Sequence, residues 1–385
     1  MPTNLKIAVG ASGLSHIRRG VEAWAEESAA ALQCAGEHAV LFKATGRSDS
    51  RSTVVLDTMP RSDPRAIEWA KLLRSSGLWR VGLSNPYDYE QLAYTVALWQ
   101  AIGRDYDILH LQDPMAALWM TWLHRAGLSR PRVILAHGTE EPTETLVRYD
   151  ALQHLAPVYL EEWERHRPRG QKVFAIPNFI DVQRFRPGDQ GGARAQWNLP
   201  GDAFVILTVA AIKKTHKRID YLIRETAQLP QLDGRPSYLV MAGARETETP
   251  EIEALSRELL GDRGRVLVDV PRAEIASLYQ AADVFVLGSL HEMLGIALVE
   301  AMACGIPVCC NNSPTLAWVA GDAGQPSDIS QPGALVAQLR ALETRSERER
   351  LAKLARRRAV EVFSEQAVIP QFQAMYRQVM SAPAS

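Results

Sequence analysis

The sequence predicts an α/β protein with two domains, each built on a doubly wound parallel sheet. Three observations lead to this prediction. Short apolar segments with the character of buried strands alternate with helical segments along the chain. A segment rich in Gly and Pro, residues 187–202, separates two series of this kind. The 385 residues are also enough for two domains of ordinary size, each with its own hydrophobic core.

The first series occupies the N-terminal half of the chain. Its strands are predicted in the apolar runs LKIAVGA, HAVLFKA, YDILHLQ, RVILAHG and VFAIPN. An amphipathic helix, GVEAWAEESAAALQCAG, follows the first strand and ends at Gly36. A second helix, PMAALWMTWLHRAG, lies between the third and fourth of these runs. Alternation of this kind implies a doubly wound parallel sheet.

The second series begins after residue 202. Strands are predicted in AFVILTVA, SYLVMAG, RVLVDV, DVFVLG and PVCCNN, with helices between them. The C-terminal segment SEQAVIPQFQAMYRQVMS is predicted to be helical.

Composition excludes several classes of function. The net charge of −1 does not favour bulk binding of nucleic acid or a polybasic contact with a membrane. No apolar run approaches the roughly 20 residues of a membrane span. The four cysteines show no metal-ligand spacing, and the start MPTNLKIAVGASG leaves no room for a signal peptide before the first strand. We therefore expect a cytoplasmic location and no nucleic-acid partner.

The segment DVFVLGSLHEMLGIALVEAMACGIP is the most informative part of the chain. It predicts a buried strand, a loop that contains Glu292, and a helix that contains Glu300 and stops at Gly305 and Pro307. Eight positions separate the two glutamates, which corresponds to roughly 12 Å at about 1.5 Å per helical residue. A carboxylate pair that acts on one glycosidic bond requires less than about 10 Å. The spacing of the two glutamates instead suits an extended ligand that is bound at both of its ends.

A diphosphate is expected between the two glutamates, over the start of the helix. The first backbone amides of a helix have no partner within it, and the helix dipole favours an anion there. These amides are expected near Leu294 and Gly295.

Glu292, seven residues and then Glu300, with Gly295 between them and AMACGIPV after them, resembles the donor-site motif of the family-four retaining glycosyltransferases. The resemblance implies the GT-B architecture, two Rossmann-like domains that face each other across a cleft. The expected domains are residues 1–187, joined by a helix at about 365–385 that crosses back, and residues 188–364, which bind the nucleotide-sugar.

The resemblance also implies an activity. We expect a retaining hexosyltransferase that uses a nucleotide-diphosphate sugar, an acceptor that is a small molecule, a glycan or a lipid-linked group, and neither metal nor other cofactor. Glu292 is expected to hold sugar hydroxyls and Glu300 the ribose hydroxyls. Met293, Leu294 and Gly295 are expected to contact the donor.

A basic loop, VAAIKKTHKRIDYLI, follows the first strand of the second series. It resembles the family element whose Arg and Lys hold the diphosphate, and Lys217 matches the lysine. Ala210-Ala211 stands where Gly-Arg is usual, so Lys213 or Arg218 is expected to supply the second positive charge. A lysine binds phosphate as a point charge, whereas an arginine offers a bidentate fork.

Residues of the first series are expected near the donor as well. RRGVEAW resembles the family's glycine loop, in which Gly20 lets the backbone approach the phosphate and sugar. His137 ends the strand RVILAHG and matches a histidine that the family places beside the donor sugar. His110 and Asp113 lie at the end of the neighbouring strand, where contact with the acceptor and a role at the helix start are both open.

Two other functions are compatible with these residues. A nucleotide-sugar epimerase shares the architecture and would release its product without an acceptor. A non-catalytic sugar-nucleotide-binding protein is the second alternative, because two positions depart from the family pattern. Ala210-Ala211 stands where Gly-Arg is usual, and in IPNFIDVQRFRP, which resembles the family's Pro-Asn-Gly element, Phe179 replaces the glycine.

Overall fold

The computed structural model describes residues 5–16, 20–48, 52–72, 83, 85–139 and 141–381. The chain divides into two compact units, which we call unit 1 (Met1–Pro177 and Ile369–Ser385) and unit 2 (Asn178–Val368). The chain therefore leaves unit 1 after Pro177, upstream of the Gly- and Pro-rich segment 187–202. Part of that segment forms a short helix, Gln190–Gln196, inside unit 2.

Unit 1 contains one parallel sheet. Its strands are β1 (Lys6–Ala11), β2 (His38–Lys43), β3 (Thr53–Val55), β4 (Ile108–Leu111), β5 (Arg132–His137), β6 (Ala151–His154) and β7 (Lys172–Ala175). Their spatial order is β3-β2-β1-β4-β5-β6-β7. The order reverses between β1 and β4, and open α/β sheets bind ligands at such a switch point, outside the carboxyl ends of the strands.

The helices of unit 1 connect these strands. They are α1 (Gly20–Cys34), α2 (Pro64–Leu72), α3 (Pro86–Ile102), α4 (Pro114–Arg125), α5 (Thr143–Leu146) and α6 (Pro157–Trp163). Asn85 caps α3, because its side chain accepts hydrogen bonds from two amides of the first turn. The main core lies between the sheet and α3 and α4, where fully buried Tyr94, Leu98 and Leu118 pack against the strands.

The sheet of unit 2 has the order β11-β10-β8-β12-β13, and β9 pairs antiparallel with β10. The strands are β8 (Phe204–Val209), β9 (Gln231–Leu232), β10 (Arg235–Gly243), β11 (Gly264–Val268), β12 (Val284–Val286) and β13 (Val308–Cys309). The order reverses between β8 and β12. The loops that follow these two strands carry Lys217 and Glu292.

Helices surround this second sheet. They are α7 (Gln190–Gln196), α8 (Ile219–Ala227), α9 (Thr249–Leu260), α10 (Ile275–Ala281), α11 (Ile296–Ala303), α12 (Pro314–Ala320), α13 (Ala334–Ala341) and α14 (Arg345–Phe363). Its core includes Ile206, Leu222 and Met241, all fully buried. Each strand predicted in the second series is confirmed.

The C-terminal helix α15 (Glu365–Met380) contains Pro370. The boundary between the units falls at Val368 and Ile369, within this helix. Tyr376 belongs to unit 1, where its hydroxyl lies 2.9 Å from Nδ1 of His110.

Candidate active site

The loops after β8 and β12 contact each other at the switch point of unit 2. The Lys217 ammonium forms an ion pair with the Glu292 carboxylate. Nε2 of His216 lies 3.8 Å from the same carboxylate. Lys217 and Glu292 are mostly buried, with 20% and 14% of their side chains exposed. A cation and a carboxylate that the sequence places 75 residues apart are therefore neighbours at one edge of the sheet.

The backbone of the basic loop adopts a costly conformation on both sides of Lys217. His216 and Arg218 have φ angles of 68° and 50°, in the left-handed region that residues with a Cβ seldom occupy. Glu248 holds the loop, because its carboxylate accepts hydrogen bonds from the amides of Lys214 at 2.6 Å and Thr215 at 3.2 Å. These contacts, with the Thr215 bonds first, lower the pKa of Glu248. The loop is thus held in a shape that its sequence alone does not favour.

The other cations of the loop have different surroundings. Arg218 donates to the carbonyl oxygen of Ile329 at 2.8 Å and lies over the ring of Tyr221. Lys214 pairs with Glu251. Within the described residues, the ammonium of Lys213 has neither a hydrogen bond nor an ion pair. Of the two candidates for the second phosphate ligand, Arg218 is therefore engaged by the main chain and Lys213 is available.

Gly288 allows the two loops to approach. A Cβ at this position would lie 2.7 Å from the carbonyl oxygen of Lys217 and 3.2 Å from that of Arg218. Gly243, at the end of β10, plays a similar part, since a Cβ there would lie 1.7 Å from the carbonyl oxygen of Ala210. Both glycines are required for close packing of backbone on backbone.

The start of α11 has the form expected of an anion site. Gly295 precedes the helix with φ 79° and ψ 58°, and no side chain among the described residues caps the helix. Leu294 is buried, and Met293 is partly exposed. Asn311 steadies the loop before the helix by donating to the carbonyl oxygen of Leu290 at 2.8 Å. The uncapped amides of the first turn therefore stand next to the loop of Glu292.

Glu300 lies within α11 and is 2% exposed. Its two carboxylate oxygens accept hydrogen bonds from Arg272 at 2.8 Å and from the hydroxyl of Tyr279 at 2.9 Å. Burial, and next the Glu300 charge, raise the pKa of Tyr279 well above its usual range, so Tyr279 remains a donor. Arg272 is about half exposed, which places a guanidinium between Glu300 and solvent. The helix begins at Ile296, so Glu292 and Glu300 do not share one helix and the helical rise does not measure their separation.

In unit 1, His137 ends β5 and is 6% exposed. Its Nδ1 lies 3.0 Å from Nδ1 of His154, and its Nε2 lies 3.4 Å from the carboxylate of Glu141. The buried amide nitrogen of Gln112 has no hydrogen-bond partner within the described residues, and the same is true of His137 Nε2. The Gln112 side chain lies next to Gly138, where a Cβ would be 3.4 Å from its oxygen. A buried amide donor and a buried imidazole nitrogen thus stand at the carboxyl edge of the sheet.

Gly20 is the first residue of α1. Arg18 and Arg19, the preceding residues of the motif RRGVEAW, lie outside the described residues.

The structure does not support contact of His110 with an acceptor. His110 is fully buried, between the rings of Trp24, Phe372 and Tyr376. Burial lowers the pKa of His110 to about 3, so the imidazole is neutral at pH 7. In a β-strand alternate side chains point to opposite faces, and the side chain of His110 points to the face that α15 covers.

Asp113 occupies the N-cap position of α4, but its carboxylate makes no capping bond. It accepts instead from the hydroxyl of Ser12 at 2.6 Å, the amide of Ser12 at 2.8 Å and the hydroxyl of Tyr87 at 2.9 Å. Glu90, also fully buried, binds the guanidinium of Arg61 at 2.6 Å. This satisfied network ties the loop after β1 to α3 and α4.

The described part of the chain contains neither a cluster of metal-binding side chains nor a helix that could span a membrane. The described residues hold no group of three or more His, Cys, Asp or Glu side chains that could bind a metal ion. The sequence contains one Asp-x-Asp tripeptide, Asp105-Tyr106-Asp107. Asp107 binds the amide of Lys6 and the guanidinium of Arg130, at the edge where β1 and β4 begin and away from the carboxyl ends of the strands.

Among the described helices, none has the length and apolarity that crossing a bilayer requires.

Known proteins resemble this chain most clearly in unit 2. Residues 189–358, most of unit 2, match the family described as glycosyl transferases group 1. The chain is 28% identical over 283 residues to D-inositol 3-phosphate glycosyltransferase 1 of Catenulispora acidiphila, covering 66% of this chain and 64% of that protein. It is 38% identical over 145 residues to D-inositol 3-phosphate glycosyltransferase of Actinosynnema mirum, covering 36% of this chain and 34% of that protein. Residues 189–358 therefore form a domain of the group 1 glycosyl transferase family.

Solved structures agree on the fold of the chain. Sucrose-phosphate synthase from Thermosynechococcus elongatus superimposes with a TM-score of 0.79 at 21% identity, covering 99% of this chain and all of that one. Anabaena HepE in complex with UDP superimposes with a TM-score of 0.72 at 16% identity, covering 97% of this chain and all of that one. The fold is therefore GT-B, with two Rossmann-like domains. The chain spans less than two thirds of the length of the curated relatives described above.

The sequence does not predict several residues that surround the candidate site. They are Arg272, Tyr279, Glu248, Asn311, Gly288 and His154. Gly288 is the last residue of the predicted buried strand DVFVLG, and a glycine at that position is a usable signal for a close backbone approach. Nothing in the local pattern distinguished the others.

Proposed function

We propose that this chain is a metal-independent, retaining glycosyltransferase that moves a sugar from a nucleotide-diphosphate sugar to an acceptor. One observation carries the proposal. At the switch point of unit 2, Lys217, Glu292 and the uncapped start of α11 are assembled within two adjoining loops. A cation, free amides and a carboxylate are the groups that a diphosphate and a sugar hydroxyl require.

Donor binding would redistribute the Lys217–Glu292 ion pair. The β-phosphate would take the Lys217 ammonium, and the Glu292 carboxylate would then accept hydrogen bonds from sugar hydroxyls. The available ammonium of Lys213 would supply the second positive charge. Glu300 would accept from the ribose, either beside Arg272 or in its place. Fixed charges of this kind stabilise the negative charge that grows on the leaving phosphate.

The reaction would need no nucleophile from the protein. In the usual proposal for the family-four enzymes, the acceptor hydroxyl attacks the anomeric carbon from the face that the nucleotide leaves. The bond from that carbon to the phosphate oxygen breaks, a bond to the acceptor oxygen forms, and the leaving phosphate takes the proton. The pairing of Glu292 with Lys217 and of Glu300 with Arg272 agrees with this role as ligands rather than nucleophiles.

Direct assays can identify the class of nucleotide-sugar donor and the acceptor. Curated relatives are named for D-inositol 3-phosphate, so inositol phosphates are the first acceptors to test. Melting temperature should be measured with UDP-, GDP- and ADP-sugars, because a ligand that binds the native state raises it by mass action. Turnover should then be followed with and without acceptor, and with EDTA.

We expect one class of donor to raise the melting temperature, and turnover that depends on acceptor and survives EDTA. The product should keep the anomeric configuration of the donor, as measured by NMR coupling constants. Release of an epimerised nucleotide-sugar without acceptor would identify an epimerase. Loss of activity in EDTA that Mg²⁺ or Mn²⁺ restores would contradict metal independence.

A further inference from the structure

His137 and His154 form a buried pair on neighbouring strands of unit 1. They are register partners of β5 and β6, and their Nδ1 atoms are 3.0 Å apart. A hydrogen bond between two imidazole nitrogens needs one N–H and one lone pair, so the two rings must carry different tautomers. The pair therefore couples the hydrogen position of one ring to that of the other.

His154 has surroundings that keep it neutral. It is 2% exposed, lies beside the rings of Tyr159 and Trp163, and its Nε2 has no partner within the described residues. Burial, and next the neighbouring His137, lower the pKa of His154 to about 3. At pH 7 the ring therefore holds a single hydrogen.

The position of Glu141 determines which of the two imidazole rings donates the hydrogen bond between them. Its carboxylate lies 3.4 Å from Nε2 of His137, and the hydroxyl of Thr139 donates to both of its oxygens at 2.6 Å and 2.8 Å. At this distance the negative charge of the carboxylate attracts an N–H group and repels a bare nitrogen lone pair, so it favours the tautomer of His137 with hydrogen on Nε2. The bare Nδ1 of His137 then accepts the hydrogen bond, and Nδ1–H of His154 donates it.

We infer that His154 is a positioning residue, which donates its Nδ1–H to His137 and so holds His137 with its hydrogen on Nε2. The distance of 3.4 Å to Glu141 is too long for a well-formed hydrogen bond, so that N–H is available to a ligand. A sugar hydroxyl fits this arrangement, since it accepts from Nε2–H and donates to the nearby carboxylate. This last step rests on the proposed function, whereas the tautomer does not.

Two isosteric substitutions of His154 distinguish a role in positioning His137 from a role in packing. In His154→Asn the side-chain amide lies where Nδ1 lies, so it donates to His137 and preserves the tautomer. In His154→Gln the amide lies near the position of Nε2, and His154→Phe removes the donor while keeping an aromatic ring. We expect kcat/KM within about threefold of wild type for the Asn variant and a loss of about tenfold or more for Gln and Phe, the size of one hydrogen bond. In a His137→Ala background the three variants should have the same kcat/KM.

The tautomer itself is measured without any substrate. In ¹⁵N-histidine-labelled protein, long-range ¹H–¹⁵N spectra distinguish a protonated from a bare ring nitrogen, and His137→Ala identifies the resonances of His137. We expect Nε2–H on His137 in wild type and His154→Asn, and a mixture of tautomers in His154→Phe. Melting curves confirm that each variant is folded. If His154→Phe does not fold, the comparison of His154→Asn with His154→Gln carries the test.

Nδ1–H on His137 in wild type, or spectra and kcat/KM unchanged by His154→Phe, would overturn the inference. If the tautomer depends on His154 but no donor is turned over, the proposed function fails and the positioning role stands.

Discussion

Glu300 illustrates how one residue of the site is defined by its partners. The sequence predicts a ribose ligand at this position, and the structure surrounds the carboxylate with Arg272 and Tyr279. Each carboxylate oxygen has two acceptor sites, so capacity for ribose hydroxyls remains. A buried carboxylate of this kind is stable only when it is paired, and Arg272 meets that requirement.

Glu300→Gln is expected to weaken nucleotide binding. The change removes the charge while keeping the shape, so ribose hydroxyls lose a charged acceptor and Arg272 loses its partner. We expect a loss of about 1–3 kcal/mol in binding free energy by titration calorimetry with the matching nucleoside diphosphate. Glu361→Gln, on the exposed side of α14, serves as the control. Equal affinity in the two variants would remove Glu300 from the nucleotide site.

Lys217 is expected to matter for turnover more than for folding. Lys217→Ala removes a cation where charge grows on the leaving phosphate, and kcat should fall about 10²-fold or more. Lys214→Ala is the matched control in the same loop, because Lys214 pairs with Glu251 instead. Wild-type turnover of Lys217→Ala would mean that Lys213 or Arg218 is the phosphate ligand.

At the scale of elements, the site depends on how closely two loops approach. The order of the strands places the loops after β8 and β12 side by side, and Gly288 lets the backbone of the basic loop pack on the end of β12. The left-handed residues on either side of Lys217 keep that lysine directed at Glu292. Catalytic geometry is therefore a property of the pair of loops, and neither loop alone provides it.

Gly288→Ala is expected to displace the Lys217 loop. The new methyl group would lie 2.7 Å from a backbone oxygen that cannot rotate away, so the loop must shift. We expect kcat/KM to fall at least tenfold, since small misplacements of catalytic groups are costly. Gly201→Ala is the control, because a Cβ there meets nothing within 4 Å. Similar activity in both variants would show that the loop contact tolerates the shift.

At the scale of the whole molecule, unit 1 is completed by residues from the far end of the chain. Tyr376 binds His110, and the amide of Gln373 donates to Glu37 at 2.8 Å. His110 and His154 are both buried in this unit with pKa values lowered to about 3. Buried neutral histidines link the stability of the fold to pH.

We expect the protein to lose stability as the pH falls below about 6.5. The unfolded chain binds protons at these histidines near that pH, whereas the folded chain does so only near pH 3. Between pH 7 and 5.5 each histidine should therefore cost about 1 kcal/mol of unfolding free energy. Urea titrations across this range measure the effect, and His154→Asn should reduce the slope. An unchanged slope in that variant would show that His154 does not contribute.

Local pattern was sufficient to predict much of the fold. Apolar runs and helical periodicity depend on neighbours in sequence, so the strands β1, β2, β4, β5 and β8 and the unit of strand, loop and helix around Glu292 were correctly predicted. The strand β6 was missed because its buried residues include Gln153 and His154, which interrupt an apolar run.

The sequence by itself thus determined the α/β class, the two series of strands and the family motif. Only the tertiary structure decided which charges meet: Lys217 with Glu292, Arg272 with Glu300, and His137 with His154. The tertiary structure also buries His110 against α15, so this predicted candidate is not part of the site. The physical reason is that these pairs are set by the order of strands in the sheets and by loop shape, and periodicity along the chain carries information about neither.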